Sequence, residues 1–173
     1  MDPLKLLLVS TMWLILDVPA YINPLFRVAL PSVEALSQLM ALTDLVFCPG
    51  LLEVLQSAAT PLISWFKNLP TNTPESSWGI YCVVLRKPGH VPLLYFGSGT
   101  GVSREGVKTR FGNYLGLHLS TLPTWVKAAL NDGYLIVHLA LLAHCPIPTV
   151  VLIPALRSFM ICLEPAFPRV WWR

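Results

Sequence analysis

Charge is scarce in this sequence. Only 12% of its 173 residues are Asp, Glu, Lys or Arg, about half the fraction usual in soluble proteins. That excludes a disordered chain and a coiled coil, both of which depend on dense charge. Paired cysteines are missing too. Cys48, Cys82, Cys145 and Cys162 stand far apart with no CxxC among them, which excludes a zinc ribbon or a dithiol redox motif and leaves each thiol as a small apolar residue. An unbroken hydrophobic run of spanning length is also absent. Leu6–Leu16 is too short, and the longer uncharged run Gly133–Leu156 is interrupted by Pro146, Pro148 and Pro154. No membrane partner is expected on these grounds. The 16 prolines exclude a bundle of long uninterrupted helices.

What the chain does have is apolar surface, at 54% of residues, and a charge asymmetry. Residues 1–77 hold three Lys and Arg against six Asp and Glu; residues 78–173 hold nine against three. The basic second half suits a polyanionic partner without forming a dense basic patch. Lys5, Leu6–Leu16 and Val18-Pro19-Ala20 follow the order of a secretory signal. Asp2 and Asp17 sit where such a signal carries no acid. The favoured reading is therefore a buried helix in an intracellular protein, nuclear or cytoplasmic, with an export signal over residues 1–20 as the alternative.

Residues 1–70 read as a helical segment. Ser32 is placed to cap a helix carrying Val33, Leu36, Leu39, Met40 and Leu42 at helical spacing. Cys48-Pro49-Gly50 ends it, and Leu51–Phe66 continues with a break at Pro61. The polar, proline-bearing residues 71–77 read as a linker. Residues 78–173 change character. Gly79–Leu85 and Leu93–Phe96 are strand-like and flank a turn at Lys87-Pro88-Gly89. A hairpin centred on Pro88 sets Tyr81 opposite Tyr95, on one face of the sheet. A helix is expected over Ser103–Tyr114 with Ser103 as its cap, placing Arg110 and Tyr114 one turn apart. Tyr134–Leu142 is the third strand, and a last helix from about Leu156 to Leu163 leads to Glu164. The fold expected is α+β: a small three-stranded antiparallel sheet flanked by helices, preceded by the helical segment.

Gly79-Ile80-Tyr81 followed by Tyr95-Phe96-Gly97 resembles the two signature triplets of the GIY-YIG nuclease superfamily, with Phe in place of the second Ile. The order that follows also resembles that family: a helix bearing Arg110 and Tyr114, a strand, then a late Glu164. Residues 94–100, 106–110, 132–134 and 145–148 are similar to the GIY-YIG domains of fungal genomes, and the likeness covers about residues 78–167. It implies a GIY-YIG-like fold and hydrolysis of phosphodiester bonds in DNA with one divalent ion, Mg²⁺ or Mn²⁺. By that analogy Glu164 holds the ion and Arg110 balances phosphate charge. Tyr81 and Tyr95 position or deprotonate the attacking water, Tyr114 assists orientation, and Gly97, Ser98 and Lys108 contact the substrate.

The residue types suit that chemistry by themselves. A phosphoryl centre needs cations around its oxygens and an aligned water; guanidinium matches phosphate geometry, and a hard cation needs carboxylate oxygen. A two-ion site needs several acidic ligands, and the second half offers only Glu105, Asp132 and Glu164. The plainer readings are a cross-strand tyrosine pair, a solvated Arg110, and an ion pair between Glu164 and Arg157 seven residues earlier. Gly97–Gly101 lacks the lysine of a P-loop, and His90, His118, His138 and His144 read as loop or core residues. Pro165 moves Glu164 toward a helix end. The rival to an enzyme is a catalytically inactive module of the same fold that binds nucleic acid or a protein partner.

Overall fold

The alternation of apolar side chains in two long strands decides the architecture. In strand β2 (Ser77–Arg86) Ile80, Cys82 and Val84 face one layer of core, while Tyr81, Val83 and Leu85 face another. A strand buried on both sides needs cover on both sides. The computed structural model describes residues 2–18, 24–57, 59–102 and 105–171 of the chain. Among these, one antiparallel sheet runs in the order β1-β4-β2-β3, with β1 Val46–Phe47, β3 Leu93–Gly99 and β4 Leu135–Pro146. The sheet thus has four strands rather than the expected three. The addition is the two-residue β1, too short to show a strand pattern, which pairs Val46 with His144 and Phe47 with Ala143.

On one face lie α1 (Pro3–Leu16), α3 (Val33–Leu42), α5 (Ile63–Asn68), α8 (Ile153–Leu163) and α9 (Ala166–Trp171), together with the short α4 (Leu51–Gln56), which buries Leu51 and Leu55 in the same core, and α2 (Leu25–Ala29), which packs against α8. The other face carries α6 (Val107–Leu115) and α7 (Thr124–Asn131). Asp2 caps α1 through the Leu4 N–H at 2.8 Å, and Ser32 caps α3 through the Ala35 N–H at 3.2 Å, each satisfying a donor the helix itself leaves open. Leu4, Leu8, Met12 and Leu16 of α1 share a core with Phe66, Phe159, Phe167 and Trp171. Pro19 and Ala20 of the candidate cleavage site lie outside the described residues. Residues 71–77 run beside β4: the Pro70 carbonyl accepts from Leu141 and the Ser76 carbonyl from Ile147.

The hairpin is centred one residue later than expected. Tyr81 pairs with Gly97 and Val83 with Tyr95. The turn closes between the Lys87 carbonyl and the His90 N–H, with Gly89 at φ +74°, a left-handed position that glycine takes without strain. Pro92 has no N–H for the ladder, which starts at Leu85–Leu93. The shift moves Tyr95 by two places, so it and Tyr81 stay on the same face, diagonal rather than opposed.

Other boundaries moved as well. The Arg110 helix starts at Val107 after Gly106 at φ +46°, and Ser103, its expected cap, lies outside the described residues. The Leu51–Phe66 segment resolves into α4 and α5 around Pro61. α8 starts at Ile153, and with its neighbouring turns Val150–Trp171 is long and apolar enough by composition to cross a membrane. Here it turns Leu156, Phe159, Met160, Leu163 and Phe167 into the core. The four cysteines are free and buried, and burial pushes the Cys48 and Cys162 thiols up to about 12.

Candidate active site

Each element delivers one part. Tyr81 projects from β2 toward α6, where its hydroxyl lies 3.2 Å from that of Tyr114 and its ring meets Phe111 edge-on at 5.6 Å between centroids. The ring is free to lie there because its partner across the ladder is Gly97. A Cβ on Gly97 would come within 2.6 Å of the Tyr81 hydroxyl, closer than side-chain atoms approach without displacement. The glycine of the second triplet therefore houses the tyrosine of the first.

Arg110 sits on α6 one turn before Tyr114, half-buried, and donates through Nη1 to the Thr121 carbonyl at 3.0 Å. Its positive charge acts on Tyr81, Tyr95, Tyr114 and Glu164 together, favouring the ionised form of each. Four of these five residues come from β2, β3 and α6.

Glu164 arrives from the opposite layer. It caps the C-terminus of α8, one residue past Leu163 and still in helical conformation, with its N–H bonded to the Met160 carbonyl, so the residue before Pro165 lies at the helix end while keeping its backbone helical. Its carboxylate meets the hydroxyl and backbone N–H of Ser98. Ser98 pairs with Ile80 and so projects to the α8 side of the sheet, whereas Tyr95 projects to the α6 side. Both belong to β3, the edge strand, so the two layers meet around its free edge. The Glu164 charge raises the Tyr95 phenol, next in weight after burial.

Burial separates the phenols. Tyr81 and Tyr114 are each 1% exposed. Both are held above the ordinary phenol range by burial first. Tyr95 is partly open to solvent and also raised. Glu164 is raised by burial, against the opposing pull of Ser98 and then Arg110. Lys108 is exposed on α6 and is not drawn into the cluster.

Arg157 does not pair with Glu164. Its Nη2 donates to the Thr100 carbonyl at 3.0 Å and its guanidinium lies over the Trp78 ring at 6.0 Å, while Trp78 Nε1 donates to the Gly101 carbonyl. Arg157 and Trp78 thus hold the segment leaving β3. Sequence reading missed Trp125 altogether. It stacks on Tyr95 with ring centroids 6.2 Å apart and planes inclined by 23°, and no sequence spacing relates a residue of α7 to one of β3.

Among the described residues no three His, Cys, Asp or Glu side chains gather into a group able to hold a metal. A lone carboxylate still suits Mg²⁺ or Mn²⁺, since Mg²⁺ is usually held by one or two carboxylates and completes its shell with water and substrate phosphate. A cation at Glu164 would also favour the ionised form that burial opposes. Compared with protein-family models, curated proteins and solved structures, the chain matches none.

Proposed function

We propose that the cluster of Tyr81, Tyr95, Arg110, Tyr114 and Glu164 hydrolyses phosphodiester bonds in DNA in the manner of the GIY-YIG nucleases, with one Mg²⁺ or Mn²⁺. The observation that carries this is convergence: the Tyr81 and Tyr114 hydroxyls lie 3.2 Å apart, Arg110 stands one turn from Tyr114 on α6, and Glu164, just past the end of α8, lies near enough for its charge to act on Tyr95 and for that of Arg110 to act on it. A structural arginine needs one partner, whereas a phosphate site needs a cation, a hard carboxylate and water-orienting hydroxyls in one place.

The roles divide by exposure. Tyr95 is the phenol that solvent reaches; its hydroxyl oxygen accepts a hydrogen bond from the attacking water and so orients it, and the proton that water loses passes to solvent. Tyr81 and Tyr114, closed off and hydrogen-bonded, hold Arg110 and Tyr95 in place. Arg110 offers its remaining N–H groups to the phosphate oxygens. Ser98 fixes the Glu164 carboxylate, which would hold the ion. When bound, the ion supplies neutralisation of the charge that builds on the phosphate. Water attacks phosphorus, the bond to the leaving sugar oxygen breaks, and that oxygen takes a proton from solvent.

The test is cleavage of plasmid and branched DNA with Mg²⁺ or Mn²⁺ by the wild type, Glu164→Ala and Arg110→Ala. Loss of cleavage by at least a hundredfold in both variants supports the reading, and cleavage unchanged in both overturns it. A second reading draws on the near-complete burial of Tyr81 and Tyr114, which suits a rigid scaffold as well as it suits a reactive centre. On that reading the domain binds DNA without cutting it, and salt-dependent binding with no metal-dependent cleavage is its signature.

A further inference from the structure

Beyond the phosphate cluster, β3 borders a second feature. A groove of about 420 Å³ is lined by Ile63, Val91, Pro92, Leu93, Leu94, Phe96, Trp125 and other uncharged residues. Its lining takes in residues of β3, the edge strand, and also Trp125, which is 45% exposed although its ring stacks on Tyr95. Leaving an indole so open costs hydrophobic stabilisation that full burial would supply. Its position is fixed from behind: Arg110 ties the turn Leu119–Thr121 to α6, and that turn leads directly into α7, whose second residue is Trp125.

We infer that the open face of Trp125 is a stacking platform for an unpaired base of the strand whose phosphate enters the Tyr95–Arg110–Glu164 cluster, so that the substrate is single-stranded or locally unpaired nucleic acid. This rests on the reading of that cluster as a phosphate site. The groove lining contains no cation to meet a phosphate, and its apolar and aromatic walls suit a base. Tyr95 already occupies one face of Trp125, which leaves the other for a ligand. One side of the stacked pair thus belongs to the phosphate cluster and the other to the groove, the arrangement that a nucleotide with its base turned outward would bridge. A base held inside a duplex presents no free π-face to such a platform.

The test uses the full chain without divalent metal, so that no strand is cut. Oligonucleotides carrying 2-aminopurine are titrated as single strand, as blunt duplex and as duplex with a single-stranded flap. Quenching of the aminopurine with the single strand and flap, and binding of these roughly fivefold or more tighter than the blunt duplex, support the platform. Trp125→Ala should weaken single-strand binding about five- to hundredfold, the range carried by one base–aromatic stack, and Trp125→Phe should restore most of it. Trp125→Phe also keeps the test valid if the alanine variant folds poorly. Quenching that survives Trp125→Ala, equal binding of all three probes, or no binding at all overturns the inference and leaves the groove to a peptide strand pairing with the β3 edge. The two readings fail separately: Trp125-dependent quenching without metal-dependent cleavage retains the platform and removes the nuclease, and cleavage indifferent to Trp125 does the reverse.

Discussion

The hydroxyls of Tyr81 and Tyr114 lie 3.2 Å apart in the interior, each residue 1% exposed. One phenol donates to the other, so removing either hydroxyl strands its partner in an apolar site. Tyr81→Phe and Tyr114→Phe should each lower stability by about 1–2 kcal/mol. The double variant should cost less than the sum, since no hydroxyl is then left unpaired. Chemical denaturation of the four proteins measures this directly. Strict additivity would mean that the two hydroxyls do not depend on each other.

Gly97 is predicted to be intolerant for a reason tied to Tyr81. Its Cβ would lie 2.6 Å from Tyr81 Cζ, and that ring is pinned by Phe111 and Tyr114. Gly97→Ala should therefore destabilise by about 1–3 kcal/mol, the usual cost of overpacking. In a Tyr81→Val background the same change should cost much less. An equal cost in both backgrounds would place the strain in the backbone instead.

The titration of Glu164 gives a pH prediction. Burial raises its carboxyl above the ordinary 4.5 in the folded protein. The folded state therefore binds the proton more tightly than the unfolded state does, and its stabilising contribution is complete below the ordinary value and lost as pH rises through the raised one. Glu164→Gln cannot ionise and escapes that loss. Its melting temperature should match the wild type in acid and exceed it increasingly as pH climbs toward neutrality. Mn²⁺ or Mg²⁺ should raise the wild-type melting temperature at neutral pH by mass action, and leave Glu164→Gln unmoved. A variant less stable than wild type at neutral pH would show that the carboxylate is already well paired.

The parts of the fold and of the site that sequence made legible are those carried by local chemistry. Ser32 as a cap, the turn before β3 and the helical spacing of Arg110 and Tyr114 follow from rules acting within a few residues. Parity also survived: a hairpin centre misplaced by one residue still left Tyr81 and Tyr95 on one face, because both partners shift in steps of two. What escaped is set by long-range packing. The contact of Tyr81 with Gly97 depends on register, the pairing of Glu164 with Ser98 on how α8 crosses the edge of the sheet, and the Tyr95–Trp125 stack on where α7 lands. β1, with two residues, carries no periodicity to read.

Arg157 and Arg110 offer a contrast that separates a structural cation from one acting on the site. Arg157 reaches the Thr100 carbonyl and the Trp78 ring, and its buried Nε has no hydrogen-bond partner. A guanidinium left partly unpaired contributes little net stability. Arg157→Leu should thus shift stability by less than about 1 kcal/mol. Amide exchange across residues 99–101 should accelerate, because the tie to Thr100 is gone. It should leave the pH dependence of stability unchanged, since Glu164 titrates against Ser98 and Arg110. Arg110→Leu should do the opposite. Without the charge that favours the Glu164 carboxylate, the carboxyl rises further and the loss of stability above the ordinary carboxylate range grows larger. Thermal melts of both variants across the acid-to-neutral range decide the matter. A loss of stability with rising pH that grows steeper in Arg157→Leu, as it should in Arg110→Leu, would restore the Arg157–Glu164 ion pair and take the carboxylate away from the proposed phosphate site.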